Sequence, residues 1–313
     1  NKTVNTQETV RIFTGAQVPA DCDTIIMQEY AKQNGATVYF EAEKITQGNH
    51  IRKQAEQLRS GQKVLSTGQI LNPSAISLIA SLGLDKVMTV VKPRAKILVT
   101  GDELMKSGES GDGKIYESNG IMLQNLLSYS GIESKPVILN DSLDAIKLRI
   151  ENESKDHDII LISGGVSVGD YDFTREAIKL NNFDIIFHGV SQKPGKPLLF
   201  AKKQNKYIFG LPGNPRSVFM CYCNFVYPFL NHISGSPKPF LWQIQTVLNH
   251  DYKKKDDGKT YILSGNYTGN SVEINGMQGS HVMLSLVNSN CLVRIDTPEI
   301  KAGDPVTIQL LPF

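Results

Sequence analysis

Strand-like apolar runs and helix-period stretches alternate strictly through the middle of the chain. Ala95–Thr100, Pro136–Leu139, Asp158–Ser163, Asp184–His188 and Tyr207–Gly210 read as strands, and the stretches after Asn119, from Ser142 to Glu153, from Asp172 and from Asn214-Pro215 read as helices. Such succession requires right-handed crossovers and predicts an α/β unit over 93–236, a parallel sheet covered by helices. Ahead of it, β-like runs at Val10–Phe13, Thr24–Met27 and Thr37–Phe40, broken by turn residues, predict a β-rich unit over 1–57. Residues 58–92 read as a linking subdomain: a turn-rich stretch from Gly61 to Gly68, then a helix opened by Pro73, carried by Ile76, Ile79, Ala80 and Leu82 and stopped by Gly83. Beyond Gly235-Ser-Pro237-Lys-Pro239 the helical period is lost. Ile244–Leu248, Thr260–Leu263, Cys291–Ile295 and Pro305–Leu310, separated by Gly and Asn turns, predict a small β-barrel or sandwich over 237–313.

Composition narrows what such a chain can do. Its 313 residues suffice for roughly two to four compact units, each able to bury a core. The 33 basic and 31 acidic side chains leave a net charge of +2 with no like-charge block, which argues against nucleic-acid and membrane partners, so any anion site must be local. The longest apolar stretches, such as Phe219–Leu230, fall short of the roughly 20 residues a bilayer demands, and no basic-plus-apolar leader opens the chain; the cytoplasmic compartment is expected. The sequence begins at Asn1 in mid-pattern, as a fragment or processed product would. Cys22, Cys221, Cys223 and Cys291 lack metal-ligand spacing and are expected as buried or half-buried free thiols.

Candidate chemistry gathers at strand ends. In a parallel sheet the loops leaving successive carboxyl ends share one rim, where such sheets hold their ligands. Asp102, Glu103, Asp141, the run from Ser163 to Asp172, and Gly210–Pro215 all follow strand-like runs, so the three carboxylates Glu103, Asp141 and Asp172, two Gly-rich turns and two lysines are expected to meet there. Ser163-Gly164-Gly165-Val166-Ser167-Val168-Gly169 can bring main-chain N–H groups close to an anion, although a sharp turn needing glycine would look the same. In Gly210-Leu-Pro212-Gly213-Asn214-Pro215, Asn214 is a natural N-cap, Pro215 suits the first helical position, and a helix start attracts an anion. Lys193-Pro-Gly-Lys196-Pro197 places two ammonium groups on a proline-stiffened backbone, with a solvated basic loop as the plain alternative. Glu103, Asp141 and Asp172, brought together, would repel one another unless a cation intervened, and magnesium suits that need; Asp141 and Asp172 could equally cap helices. Gly108–Ile115 nearly spells a P-loop but lacks the closing Ser/Thr and reads as a surface turn, and the six histidines show no paired metal spacing.

Thr100-Gly101-Asp102-Glu103-Leu104, Gly113-Lys-Ile-Tyr-Glu-Ser118-Asn119, the Ser163–Asp172 run, Lys193–Pro197 and Gly210–Pro215, with Arg11–Ala16 and Val18-Pro19 ahead of them, resemble the MoeA family, the molybdopterin molybdenumtransferases, which include the gephyrin E domain. The resemblance covers essentially the whole chain. It implies an elongated homodimer whose subunits carry four subdomains, with an N-terminal β-rich region, a MogA-like molybdopterin-binding α/β domain and a C-terminal small β-barrel. Residues 58–92 would be part of an incomplete linking subdomain, because an N-terminal stretch that members carry is not found here. The implied reaction takes adenylylated molybdopterin and molybdate, with Mg2+, to molybdenum cofactor and AMP. Carried over by motif, Glu103, Asp141, Asp172 and Lys193 are the implied catalytic residues, and Glu103 and Asp172 the implied metal ligands. Thr100, Gly101, Asp102, Ser118, Asn119, Ser163, Gly164, Gly165, Ser167, Gly169, Lys196, Pro212, Gly213, Asn214 and Pro215 are the implied pterin-binding residues. A molybdopterin adenylyltransferase and molybdoenzyme maturation proteins are the implied protein partners.

Three positions depart from the family's pattern. Its Arg-x-x-Gly-x-Asp reads Arg52-Lys-Gln-Ala55-Glu56-Gln57, an amide where an acid is expected, with Glu56 beside it. Gly189 stands where a basic residue is often found, next to His188, and Arg216 where a small apolar residue is usual. An amide cannot coordinate as a carboxylate does, which leaves room for a pterin-binding scaffold without turnover. The nearest rival enzyme is a molybdopterin adenylyltransferase, which shares the Ser-Gly-Gly loop; the β-rich leader and terminal barrel favour the insertase.

Overall fold

The computed structural model describes residues 3–166 and 173–312, and the chain divides into two compact units, 1–66 and 67–313. In the first, β1 (Ala31–Asn34) and β2 (Thr37–Phe40) form an antiparallel hairpin, with Gly35 at φ 60° in its turn. The strands expected at Val10–Phe13 and Thr24–Met27 form no ladder. Val10 and Phe13 are exposed, and residues 23–25 make two isolated bonds, Gly48 N to Asp23 O at 2.8 Å and Ile25 N to Asn49 O at 3.2 Å. An apolar run becomes a strand when a neighbouring edge and a buried face hold it, and these runs have neither.

The second unit opens with α1 (Pro73–Ser81). Asn72 accepts the Ala75 N–H at 2.9 Å, Pro73 fills the first position, and Gly83, at φ 75°, carries the chain past the end, as predicted. There follow β3 (Ala95–Thr100), β4 (Leu104–Met105), β5 (Ile115–Tyr116), α2 (Asn119–Tyr129), β6 (Pro136–Leu139), α3 (Leu143–Asp156), β7 (Ile159–Ser163), α4 (Phe173–Leu180), β8 (Asp184–His188), β9 (Gln192–Lys193), β10 (Leu199–Lys203) and β11 (Lys206–Leu211). The main sheet has the order β6-β3-β7-β11-β10-β8. Its first four strands are parallel, whereas β10, absent from the sequence expectation, runs antiparallel between β11 and β8. The two-residue turn Gln204-Asn205, with Gln204 at φ 52°, joins Lys203 to Lys206 and forces that reversal.

The central strands β3, β7 and β11 are buried on both faces over most of their length. Ile97, Val99, Ile159 and Leu161 pack toward α2 and the last helix of this region, while Leu98, Ile160 and Ile162 meet Ile146, Ile150, Ala177 and Ile178 of α3 and α4. Each such side chain contributes about 1.5–3 kcal/mol, so the strands form a rigid frame for the loops at their ends. That last helix, α5 (Pro215–Cys221) and α6 (Tyr227–Ile233), is joined by one π turn over Tyr222–Val226. Pro228 has no N–H and its ring crowds the carbonyl of Asn224, four residues back; the wider turn absorbs the conflict. Asn224 Nδ2 then donates to Gln192 Oε1 at 3.2 Å.

The remaining elements are β12 (Gln243–Leu248), β13 (Tyr252–Lys253), β14 (Thr260–Tyr267), β15 (Ser271–Ile274), α7 (Leu284–Val287), β16 (Cys291–Ile295), β17 (Glu299–Ile300) and β18 (Pro305–Leu310). β15, β12, β18, β16 and β14 pair in turn and β14 returns to β15, closing a five-strand barrel around Leu248, Leu263, Val272, Val293 and Ile308. The alternate residues Ile262 and Leu292 belong to one apolar cluster with Tyr222 and Leu126, so barrel and α/β layer share a core. β9 adds to the barrel, parallel to β14, with Gln192 opposite Thr260. No helix among the described residues is long and apolar enough to cross a membrane.

Candidate functional site

Loops at the carboxyl ends of β3, β6, β7 and β11 meet in one hydrogen-bonded rim. Gly101 N donates to Leu139 O at 3.4 Å, and the Asp102 carboxylate accepts the Asp141 N–H at 3.1 Å, which joins the loops after β3 and β6. Under them lie the glycines after β7. A Cβ on Gly164 (φ 100°) would overlap Thr100 O; one on Gly165 (φ 62°) would stand 2.6 Å from Thr174 Oγ1 and 3.4 Å from Asp141 Oδ1. Close approach as well as backbone conformation therefore requires glycine at both positions.

Asn119 fixes the other side of the rim. Its Nδ2 donates to Ser163 Oγ at 3.0 Å and Gly213 O at 2.7 Å, while Ser163 Oγ donates to Pro212 O at 3.4 Å and Gly164 N to Leu211 O at 3.2 Å. Thr100 Oγ1 and Asn119 Oδ1 are buried and have no hydrogen-bond partner among the described residues. Buried polar atoms rarely stay unpaired, so these two mark acceptor and donor capacity available to a ligand.

Several expectations divide here. Asp141 does not cap α3: Ser142 does, accepting the Ala145 N–H at 3.4 Å, which leaves the Asp141 side chain to the rim. Asn214 and Pro215 take the expected positions at the start of α5, but the Asn214 side chain makes no capping bond. Ser118 likewise precedes α2 without capping it; Glu117 Oε1 accepts the Gly120 N–H at 2.5 Å instead. The Glu103 carboxylate folds over Gly101, where an added Cβ would lie 2.8 Å from Oε2. Lys114, from the turn set aside as a near P-loop, donates to the Asp102 carbonyl and so belongs to the rim. Ser167, Gly169 and Asp172 lie outside the described residues. Among the described residues no group of three or more His, Cys, Asp or Glu could hold a metal ion.

The two lysines do not join the carboxylates. Lys193 and Lys196 line a second recess, a cavity of about 510 Å³ whose wall contains none of Asp102, Glu103 and Asp141. The pairing of β9 with β14 is the physical reason: it draws the Lys193–Pro197 loop to the barrel. Gly195 is pressed onto α5, where a Cβ would stand 2.5 Å from Cys221 Sγ and 3.0 Å from Gln192 Nε2. The barrel supplies Tyr252, Lys259, Tyr261, Gln278 and Ser280 to the same cavity, the turn before α5 supplies Asn214, and α5 supplies Ser217. Lys193 Nζ donates to Tyr261 Oη at 3.2 Å, and Lys259 pairs with Asp257 at 3.0 Å. The wall carries three lysines and no Asp or Glu, and with Asp257 set against Lys259 behind it the recess keeps a net positive charge. The two recesses adjoin at one turn: Gly213 O is bonded to Asn119 on the rim, and Asn214, the next residue, lines the cavity. Sequence reading missed Lys259, Gln278 and Ser280 because they are scattered through the barrel without a motif.

The departures also have structural accounts. Glu56, beside Gln57, turns one carboxylate oxygen back to the Lys53 N–H at 2.9 Å within its own turn, where Ala55 takes φ 64°. Gly189, at φ 100°, donates its N–H to Leu198 O at 2.8 Å, a backbone role that favours glycine.

Residues 96–232 match the probable molybdopterin binding domain, residues 1–83 the MoeA N-terminal region (domain I and II) and residues 246–311 the MoeA C-terminal region (domain IV). A molybdopterin molybdenumtransferase from Staphylococcus aureus strain Mu50 is 31% identical over 317 residues, which cover 99% of this chain and 75% of that protein. The chain belongs to the molybdopterin molybdenumtransferase family. A Staphylococcus epidermidis member is 29% identical with the same coverage. The crystal structure of the molybdopterin biosynthesis MoeA protein from Pyrococcus horikoshii OT3 superposes with a TM-score of 0.76 at 28% identity, over 99% of this chain and 78% of that one. Both recesses draw on the family's molybdopterin-binding domain, and the cationic one also draws on its C-terminal domain.

Proposed function

We propose that this chain is a molybdopterin molybdenumtransferase of molybdenum cofactor biosynthesis, which inserts molybdate into adenylylated molybdopterin and releases AMP. The observation that carries the reading is the adjacency, across Gly213-Asn214, of a glycine-lined acidic rim and a cavity lined by Lys193, Lys196 and Lys259. Phosphoanhydride cleavage needs donors at the phosphates and a positioned oxyanion, and the two recesses divide those tasks. On the rim, the N–H groups of Gly165 and Val166 bind phosphate, and Asn119 holds the Pro212-Gly213 turn in place. The lysines hold the tetrahedral dianion, with the Ser280 and Tyr261 hydroxyls to orient its oxygens, while Gln278 braces the wall through Ser264 and Asn275.

Magnesium suits this rim: Asp141 Oδ1 approaches the Gly165 cradle, Thr100 Oγ1 is unpaired among the described residues, and the ion needs few carboxylates when phosphates complete its shell. Glu103 and Asp172 would hold it, and its charge would stabilise the departing AMP phosphate. A homodimer in the cytoplasm, supplied by a molybdopterin adenylyltransferase and serving molybdoenzyme maturation proteins, completes the proposal.

The assay is AMP release by the purified protein. Release from adenylylated molybdopterin that requires both molybdate and magnesium is expected. Consumption of ATP with bare molybdopterin would indicate the adenylyltransferase. Saturable pterin binding without AMP would indicate a scaffold, the reading favoured by Gln57 and Gly189.

A further inference from the structure

Arg216 is fully buried in the first turn of α5 and poorly compensated. Nη1 and Nη2 reach Met277 O and Ser264 Oγ at the long distance of 3.5 Å, and Nε has no hydrogen-bond partner among the described residues. Burial pushes its pKa down to about 10, so the group remains a cation at neutral pH. An ion removed from water without a counter-charge carries a large desolvation penalty. That cost points to an anion nearby for at least part of the working cycle.

The surroundings indicate where. The Arg216 N–H donates to Ser280 O at 3.2 Å. Ser264, which the guanidinium touches, is clasped by Gln278: Ser264 N donates to Gln278 Oε1 at 3.2 Å, and Gln278 Nε2 donates to Ser264 O at 3.1 Å. Gln278 and Ser280, and Ser217 next to Arg216 in sequence, all line the cationic cavity. The guanidinium therefore stands one layer of residues behind the cavity wall. Of the lining lysines, Lys259 is already paired with Asp257.

We propose that Arg216 is a positioning residue of the oxyanion site, a buried cation whose field, acting through the Ser264–Gln278–Ser280 wall, makes the cavity select a doubly charged tetrahedral oxyanion over a singly charged one of the same shape. The proposal rests on the cavity being the oxyanion site. A charge acting through a water-excluding wall contributes in proportion to the ligand's charge, whereas a side chain that merely braces the wall affects ions of equal shape equally.

The test measures binding of molybdate and of perrhenate, each alone, to the full chain by calorimetry or equilibrium dialysis. Arg216→Met weakens molybdate on the order of tenfold and perrhenate about threefold, the square root expected for half the charge; Arg216→Lys recovers most of the loss. Should Arg216→Met fail to fold, Arg216→Gln, which keeps a hydrogen-bonding head without charge, gives the same comparison. Equal weakening of the two ions, absence of rescue by lysine, or unchanged molybdate binding overturns the proposal. Lys193→Ala and Lys259→Ala separate the two readings. If they weaken molybdate while Arg216→Met does not, this inference alone fails; if neither lysine matters, the assignment of the cavity fails and takes the inference with it.

Discussion

Gly164 and Asp141 show what single residues decide on the rim. Gly164→Ala would place a methyl group against the Thr100 carbonyl in a left-handed backbone conformation, and the expected cost is on the order of 2–3 kcal/mol, measured as a lower denaturant midpoint. Asp141→Asn is the contrasting case. Because Ser142 caps α3, stability should stay within about 1 kcal/mol of the parent, while AMP release per folded molecule falls at least about a hundredfold. A loss confined to stability would return Asp141 to a structural role. Aspartate followed by serine offers two eligible caps, so the sequence could place the helix start without deciding which side chain closes it. The same limit applies to Asn214, whose position at the start of α5 was legible and whose side-chain partner was not.

At the scale of elements, β3 and β7 carry apolar residues on both faces over Ile97–Val99 and Ile159–Ile162, and the strands stand where those signals put them. β10 was hidden because its short apolar run follows a Pro-Gly-Lys-Pro stretch and ends in lysines, the composition of a loop. Val10–Phe13 erred in the other direction, with strand-like residues and no neighbouring edge. Two measurements probe the elements directly. Burial pushes the thiols of Cys221 and Cys223 above the ordinary range and raises Cys291 to about 11. With a disulfide reagent at pH 8, the half-buried Cys22 should react quickly and the other three upon denaturation; a second fast thiol would mean that α5, the π turn after it or β16 is packed more loosely than described.

Asp158 tests the opposite edge of the sheet, where it joins the starts of β3, β7 and β11 through the Arg94 N–H at 2.9 Å and Lys206 Nζ at 3.3 Å. Burial alone would raise its pKa, but the Arg94 N–H, Lys206 and the Arg94 charge outweigh it and hold the carboxyl below its ordinary value. Since the folded pKa is the lower one, the stabilisation is present above the unfolded carboxylate range and is lost as pH falls through the folded value. Asp158→Asn should cost about 1 kcal/mol at pH 7, and the difference should shrink through pH 4 toward zero. A constant difference across that range would contradict the assignment.

For the molecule as a whole, the order of units was legible because each carries its own period: strand with helix in the centre, short strands and turns at the end. What the sequence did not disclose is how the units share work. β9 is two residues long, too short for any periodicity, yet its pairing with β14 carries Lys193 and Lys196 away from the carboxylates and into a cavity completed by Lys259, Gln278 and Ser280. One expected rim thus became two recesses, one acidic and glycine-lined, the other cationic, adjoining at Gly213-Asn214.

That division of labour is tested most directly by steady-state AMP release with Lys259→Ala, varying molybdate and adenylylated molybdopterin separately. The molybdate concentration needed for half-maximal release should rise about tenfold, with the pterin requirement unchanged. Release that ignores molybdate, or a variant that shifts the pterin requirement and leaves molybdate untouched, would contradict it.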